Sequence, residues 1–296
     1  MNRPVISVIL PAYNAERFIS DSLDSIINQS FENFEILVLN DGSTDNTKDI
    51  ILSKKDSRIR YFEHKSNLGI IKSLNKGLYL SKGDFIARMD ADDLSEIRRL
   101  EIQLRYLKDN RFIDAVGTQM KIYGTNNTFN YLCEEELHRI YLLEYNTLAH
   151  PTILMRKERF ASNNLYYDRQ AFLVEDYKLW VDAVINGLRV NAIPEYLLQY
   201  RLHENQITSN YISRQEESAK RVRWYYALHY FTGILADQAQ SYFDLMYASS
   251  LSPKRLKNAK ELVMKMKSIN AAGLFFQKRE FEVFLDIKIS RIDSNI

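Results

Sequence analysis

With a single cysteine, Cys133, in 296 residues, the chain has no partner for an intramolecular disulfide, so packing must supply its stability. That scarcity fits a reducing compartment. No His pattern surrounds Cys133, so a buried structural thiol is expected there rather than a nucleophile. Long apolar runs are lacking too; none approaches the roughly 18 residues needed to cross a bilayer. Nor does the sequence open with a basic segment, apolar stretch and cleavage site in order. Together these absences point to a cytoplasmic protein. Charge of one sign is missing as well: 40 basic residues face 38 acidic ones, a net charge of +2, which gives no argument for a nucleic-acid partner. Neither common phosphate cradle is present, since no Gly-x-Gly-x-x-Gly follows the first apolar run and no Gly-rich loop ends in Lys-Ser or Lys-Thr. Any phosphate bound here must be neutralised another way.

What the sequence does contain centres on Phe85-Ile86-Ala87-Arg88-Met89-Asp90-Ala91-Asp92-Asp93. A short run of strand formers ends in three carboxylates. Ionised oxygens lose hydration on burial, so a core strand leading into Asp90, Asp92 and Asp93 suggests a cation or a hydroxyl-rich ligand at its carboxyl end. Asp90 and Asp92 have the alternating spacing that puts both side chains on one face of an extended segment. The competing reading is an acidic turn capping the next helix.

Around this stretch, strands alternate with helices. Val5 to Leu10, Phe34 to Leu39 and Ile59 to Phe62 read as strands. Phe18, Ile19, Leu23, Ile26 and Ile27 recur at helical spacing, as do Ile71, Leu74 and Leu78. Near-continuous apolar strands joined by helices argue a mostly parallel, Rossmann-like α/β sheet flanked by helices. In such sheets ligands sit beyond the carboxyl ends of the strands. The loops there are Pro11-Ala12-Tyr13-Asn14, Asn40-Asp41-Gly42-Ser43 and Asp90-Ala91-Asp92-Asp93. Further on, the pattern predicts a helix from about Ser95 to Leu107 and a strand over Ile113–Gly117. A hairpin-like turn is expected at Gly124–Asn127, a strand entered at His150, and a helix starting near Glu175. Leu188 to Leu198 reads as a strand. From about Ser213 the pattern is helical, so residues 1–212 are expected as a catalytic domain and 213–296 as a helical region.

The order of these motifs resembles the inverting nucleotide-sugar glycosyltransferases of family 2, on the GT-A fold. The resemblance rests on Val5 to Asn14, Asn40-Asp41-Gly42-Ser43-Thr44-Asp45, Asn67-Leu68-Gly69, Arg88 to Asp93, His150-Pro151-Thr152, Glu175-Asp176-Tyr177-Lys178-Leu179-Trp180 and Tyr200-Arg201-Leu202-His203, and it covers about residues 4 to 207. It implies a nucleotide-sugar donor, a uridine nucleotide foremost, and a saccharide or polyprenyl-linked acceptor in surface-polysaccharide assembly. Asp41 would bond the base, with Pro11 and Tyr13 walling base and ribose, and Asn14, Asn67 and Arg88 belonging to the same pocket. Asp90 would take ribose hydroxyls. Asp92 would hold Mg²⁺ or Mn²⁺ across the two phosphates, an oxygen-rich setting that both ions accept.

Inversion in one displacement needs a general base on the acceptor side. The resemblance assigns it to Asp176, with Glu175 orienting the acceptor or the base; the other reading of this pair is an acidic helix start that suits the dipole. His203 is a candidate third metal ligand or diphosphate contact, and Arg201 a counter-charge. His203 also reads as a surface residue, and Asp93 equally as a helix cap. His150 is expected to shape the sugar pocket or to be structural. In the tail, Lys254, Arg255, Lys257, Lys260, Lys265 and Lys267 surround Leu256, Leu262, Val263, Met264 and Met266. That pattern suits peripheral contact with an anionic membrane, and equally a solvated face packed on the core.

Two other functions share parts of this pattern. A sugar nucleotidyltransferase would want a Gly-rich first loop with a basic residue, which Leu10-Pro11-Ala12-Tyr13-Asn14 lacks. A binding-only protein would not need both Asp92 and Asp176.

Overall fold

The structure is a computed structural model that describes residues 3–204, 211–235 and 237–293. Its first part builds a sheet from β1 (Ile6–Ala12), β2 (Phe34–Asn40), β3 (Ile59–Glu63) and β4 (Phe85–Arg88), interleaved with helices α1 (Ile19–Ile27), α2 (Thr47–Ser53) and α3 (Ile70–Leu80). Every residue of β1 and β2 is buried. The reason is that both faces are covered. Ile6, Val8 and Leu10 enter one apolar cluster with Leu23 and Ile26 of α1, whereas Ile9 points into the other with Leu74 of α3. The alternation of successive side chains across the sheet thus fills two cores at once.

The rest of the sheet comes from β5 (Leu94–Ser95), β6 (Ala115–Ile122), β7 (Thr128–Phe129), β8 (Leu154–Arg156) and β9 (Val190–Tyr200). The strand order is β3-β2-β1-β4-β8-β6-β9-β5, with β7 paired to β6. The expected parallel arrangement holds from β3 to β4. Beyond β4 the sheet is mixed: β8 runs antiparallel to β4 and β6, whereas β6 and β9 are parallel. Since β1 lies between β2 and β4, the carboxyl ends of the three strands open side by side, with Ala12 opposite Asn40.

Three local expectations differ from the structure. The helix expected from Ser95 starts instead at Arg99, as α4 (Arg99–Asp109). Leu94 and Ser95 pair with Gln199 and Leu198, and Ser25 and Leu197 take the N–H groups of Ser95 and Glu96. Those tertiary partners outcompete helix propensity. At His150 the chain makes a single 3-10 turn, His150–Thr152, before β8. Cys133 also departs from expectation: it is exposed, and its Sγ lies 3.1 Å from Gln119 Nε2.

The remaining helices are α5 (Glu135–Tyr141), α6 (Lys157–Ser162), α7 (Glu175–Ile185), α8 (Ile212–Leu235), α9 (Ala239–Tyr247), α10 (Pro253–Gly273) and α11 (Lys278–Asp293). The last four pack onto α5 and α7 and share their core. Phe231, Tyr242, Phe281 and Phe284 join Tyr177 and Trp180 in one buried cluster. Polar ties run the same way: Tyr226 donates to the Arg139 carbonyl at 2.9 Å, and Arg139 Nη2 to that of Phe275 at 2.6 Å. Among the described residues no helix is long and apolar enough to cross a membrane.

Gly42, just after β2, has φ +72°, and a Cβ there would sit 2.6 Å from the Ser66 carbonyl carbon. Both the left-handed backbone and the contact disfavour any side chain. Gly42→Ala should therefore destabilise by more than about 1 kcal/mol, lowering Tm by at least about 2 °C in a thermal melt. An unchanged Tm would show that the loop yields to the added carbon.

Candidate active site

The floor of the site is made by the ends of β1 and β2. Asn14, at φ 47°, bridges the two loops: its Oδ1 accepts the Thr44 N–H at 2.9 Å and its own N–H reaches Ser43 Oγ at 3.0 Å. Pro11 is buried at the end of β1, Tyr13 is about half exposed, and Asn67 is exposed. Asp41 is buried, and its carboxylate is already busy. Oδ1 accepts the Leu68 N–H at 2.9 Å and lies 2.8 Å from His64 Nδ1; Oδ2 accepts the Gly69 N–H at 2.8 Å. It locks the Asn67–Gly69 turn against β2, leaving one Oδ2 lone pair for a ligand.

Past β4 the three aspartates converge. One ligand atom from each of Asp90, Asp92 and Asp93 lies within 4.8 Å of the others. Asp90 is paired with Arg88, and Ser22 of α1 donates to its carbonyl at 2.8 Å. Asp92 Oδ2 is 2.8 Å from His203 Nε2, which bridges 111 residues of sequence. Asp93 is fully buried and lies well before α4, so it caps no helix. Its Oδ1 accepts the Arg201 N–H at 3.0 Å, while its Oδ2 is buried without a hydrogen-bond partner. The Arg201 guanidinium turns outward to Asp21 at 2.7 Å and packs over the rings of Phe18 and Tyr123.

Burial pushes the Asp93 carboxyl well up, and the charges of Asp90 and Asp92 add to the rise. Asp90 is raised by burial against the opposing pull of Arg88. Such a set is short of positive charge. The orphaned Asp93 oxygen, the converging carboxylates and the imidazole beside Asp92 fit a hard divalent cation of the Mg²⁺ or Mn²⁺ kind.

Across the cleft, α7 starts at Glu175. Asp176 Oδ1 accepts the Tyr177 N–H at 2.7 Å, and its Oδ2 accepts Asn146 Nδ2 at 2.7 Å. Burial raises the Asp176 carboxyl; these two donors and Arg88 pull it back. Glu175 is 8 % exposed, its Oε2 has no partner, and burial with the neighbouring Asp176 charge pushes it up to about 7. The charge of Asp176 raises Asp90, and the same buried Arg88 pulls both carboxyls down. The acidic stretch after β4 and the Glu-Asp pair on α7 thus share one guanidinium.

The Glycosyl transferase family 2 model matches residues 7–167, more than half of the chain. This chain belongs to glycosyltransferase family 2. An uncharacterized glycosyltransferase of Haemophilus influenzae is 39 % identical over 242 residues, spanning 75 % of this chain and 73 % of that one. Another, from Methanocaldococcus jannaschii, is 30 % identical over 240 residues, 77 % of this chain and 79 % of that one. Among solved structures, S. aureus TarS 1-349 in complex with UDP-GlcNAc aligns with a TM-score of 0.63 at 17 % identity, over 98 % of this chain and 90 % of that one. Mannosyltransferase PcManGT from Pyrobaculum calidifontis, in complex with GDP-Man and Mn²⁺, aligns at 0.60 and 17 %, over 100 % of this chain and 88 % of that one. At such identities the likeness establishes the fold, and that fold is GT-A.

Several side chains of this glycosyltransferase's site carried no readable sequence signal. Tyr167 is buried, lies 2.8 Å from His150 Nε2, and feels the charges of Arg88, Asp176, Glu175 and Asp90. His150 is accordingly kept neutral, its basicity lowered by burial and by Arg88. Arg99 of α4 is fully buried and donates to the carbonyls of Arg88 and Pro151, tying the end of β4 to the His150 turn. Asn146 lies in a connection with no periodic pattern.

The raised Glu175 carboxyl makes stability pH-dependent. Its folded value of about 7 stands above the ordinary 4.5, so the folded state binds the proton more tightly. The stability this supplies is fully present below about 4.5 and is lost as pH rises through about 7, a swing on the order of 3 kcal/mol. Melts of the metal-free protein should therefore show Glu175→Gln gaining on wild type between pH 5 and pH 8. A constant difference in Tm across that range would refute the assignment.

Proposed function

We propose that this glycosyltransferase moves a sugar from a nucleoside diphosphate donor, a uridine nucleotide foremost, to a saccharide acceptor with inversion and with a divalent cation. The observation that carries this reading is the meeting of two carboxylate groups around Arg88: one, Asp90-Asp92-Asp93, is built to attract a cation; the other, Asp176, is held as a base. In support, the aligned TarS and PcManGT structures hold UDP-GlcNAc and GDP-Man, the latter with Mn²⁺.

In this reading Pro11, Tyr13, Asn14, Asp41 and Asn67 receive the nucleoside, and Asp90 the ribose hydroxyls. Asp92 and His203 would hold the cation, with Asp93 adding a carboxylate to the cluster. When bound, the cation neutralises charge gathering on the departing diphosphate, as a Lewis acid. Asp176 takes the proton from the acceptor hydroxyl as that oxygen bonds the anomeric carbon and the carbon–phosphate-oxygen bond breaks on the opposite face. Its two hydrogen bonds hold the carboxylate in one orientation. Neutral His150 and Tyr167 line the sugar side without adding charge. Arg201 acts through its backbone N–H on Asp93, its guanidinium being committed to Asp21.

A polyprenyl-linked acceptor in surface-polysaccharide assembly, met at a membrane surface, is an extension of the same reading. The tail gives it limited support, because Arg255, Lys257, Lys260 and Lys267 pair with Asp244, Glu261, Asp293 and Asp286. Those pairs reduce the positive charge that α10 offers to anionic lipid.

The donor half is tested by calorimetric titration of nucleoside diphosphates with and without Mn²⁺. One nucleotide should bind in a Mn²⁺-dependent way, and Asp92→Ala should weaken it at least as much as the 10- to 100-fold that loss of an outer-shell partner typically costs. A folded protein that binds none of them overturns the transferase reading of this site. For the base, Asp176→Asn should leave nucleotide affinity intact and lower turnover by about 10²- to 10⁴-fold.

A further inference from the structure

Asp176 receives its only side-chain hydrogen bond among the described residues from Asn146, which belongs to neither flanking element. The connection from α5 to the His150 turn has no secondary structure from Glu144 to Ala149 apart from turns, yet Leu142, Leu143, Thr147, Leu148 and Ala149 are buried. Such a segment needs its polar backbone satisfied from outside. The partners are informative. Tyr177, the residue after the base, donates its hydroxyl to the Leu142 carbonyl. Tyr242 of α9 donates to the Leu143 carbonyl at 2.7 Å, and Lys288 of α11 contacts the Glu144 carboxylate. Asn146 turns its own Oδ1 back to the Leu148 N–H at 3.3 Å, which aims its amide nitrogen at Asp176. The segment that presents Asn146 is therefore stapled on one side by the helix of the base and on the other by the C-terminal helices.

We infer that Asn146 is a positioning residue for Asp176, and that the C-terminal helices hold it in register through the Tyr242–Leu143 bond. The inference rests on Asp176 being the base. A carboxylate held at both oxygens keeps a fixed lone pair toward the acceptor and remains ionised more readily, because hydrogen bonds to the charged form favour it. Facing the same carboxyl are Glu175 from its own helix, Arg88 and Asp90 from the end of β4, Tyr167 before α7, and Tyr131 after β7. None of the four acidic or phenolic groups donates to Asp176, and Arg88 is engaged by Asp90. Asn146 is what supplies the side-chain donor. On this view the tail acts as a part of the acceptor half of the enzyme, whatever else it touches.

Two readouts test this, one of them independent of any acceptor. The first follows the Asp176 carboxyl by NMR in ¹³C-aspartate-labelled full-length protein, assigned by its disappearance in Asp176→Asn. Asn146→Ala, and Asn146→Ser as a milder cut, should move its titration to higher pH. The second measures release of nucleoside diphosphate from UDP- and GDP-sugars, with Mn²⁺ and water as acceptor. Turnover in Asn146→Ala should fall about ten- to a hundredfold, the worth of a hydrogen bond to a charged group, with nucleotide affinity unchanged and the acid limb of the pH profile displaced upward. Tyr242→Phe should give a smaller fall that adds nothing in the Asn146→Ala background. An Asp176 titration identical in wild type and both Asn146 variants overturns the inference; so does wild-type turnover in Asn146→Ala when Asp176→Asn is inactive. A Tyr242→Phe loss that simply adds to that of Asn146→Ala removes the tail from it. Full activity in Asp176→Asn would strike the base reading itself, while the titration would still judge the contact with Asn146.

Discussion

The arrangement depends on one buried cation, the Arg88 guanidinium. Burial alone would lower its basicity, but Asp90 beside it, together with Tyr167 and Asp93, outweighs that and raises it. Its field reaches Asp90, Asp93, Glu175 and Asp176, pulling each against the upward push of burial. It also helps keep His150 neutral. A single positive charge is thus shared by carboxylates from two distant parts of the chain. Arg99, a second buried guanidinium, feels Asp93 but gives its printed hydrogen bonds to backbone carbonyls, and all four acids remain raised by burial.

That charge is placed by backbone topology. Arg88 is the last residue of β4, opposite Ile9 of β1, so it lies inside the sheet while the next residues leave it. Parallel strands end together, and the apolar cover on both faces leaves their carboxyl ends as the exit for polar groups. Arg99 then draws the Pro151 carbonyl to the Arg88 carbonyl, so the His150 turn and the aspartates share one anchor. Further out, α5, α7 and the C-terminal helices share one apolar cluster, and the segment carrying Asn146 is caught between them. The surroundings of Asp176 are therefore a product of packing, where the aspartate cluster is a product of strand order.

This contrast explains what the sequence revealed. The donor loops, the aspartate cluster and the Glu-Asp pair announced themselves because each sits at the end of a periodic element, where a polar run breaks an apolar one. The parallel half of the sheet and the onset of the tail helices were legible on the same ground. Ser95 misled because its partners, Ser25 and Leu198, lie far away in sequence, and no local pattern carries them. The alternative of Asp93 as a helix cap failed with it, since α4 starts too late for that role. Cys133 was expected inside because no His pattern surrounds it, yet it falls in a non-periodic exposed stretch. Asn146, Tyr167 and Arg99 were invisible for a different reason: their meaning is entirely in what they touch.

The two halves are nonetheless electrically joined. Asp176 raises Asp90, and both are steadied by Arg88. Charge placed at the aspartates must then be felt at Asp176: a proton or a cation there removes repulsion and favours Asp176 as the ion, the form that the proposed role requires. Without added positive charge at the aspartates, burial keeps Asp176 easier to protonate than an ordinary carboxyl. In the proposed reading, a cation that Asp92 and His203 would hold adds positive charge beside Asp90 and so favours the ionised form of Asp176. Fixing Asp176 by Asn146 and the Tyr177 N–H limits how far the carboxylate can turn away to escape that field, so it is held where charge at the aspartates can act on it.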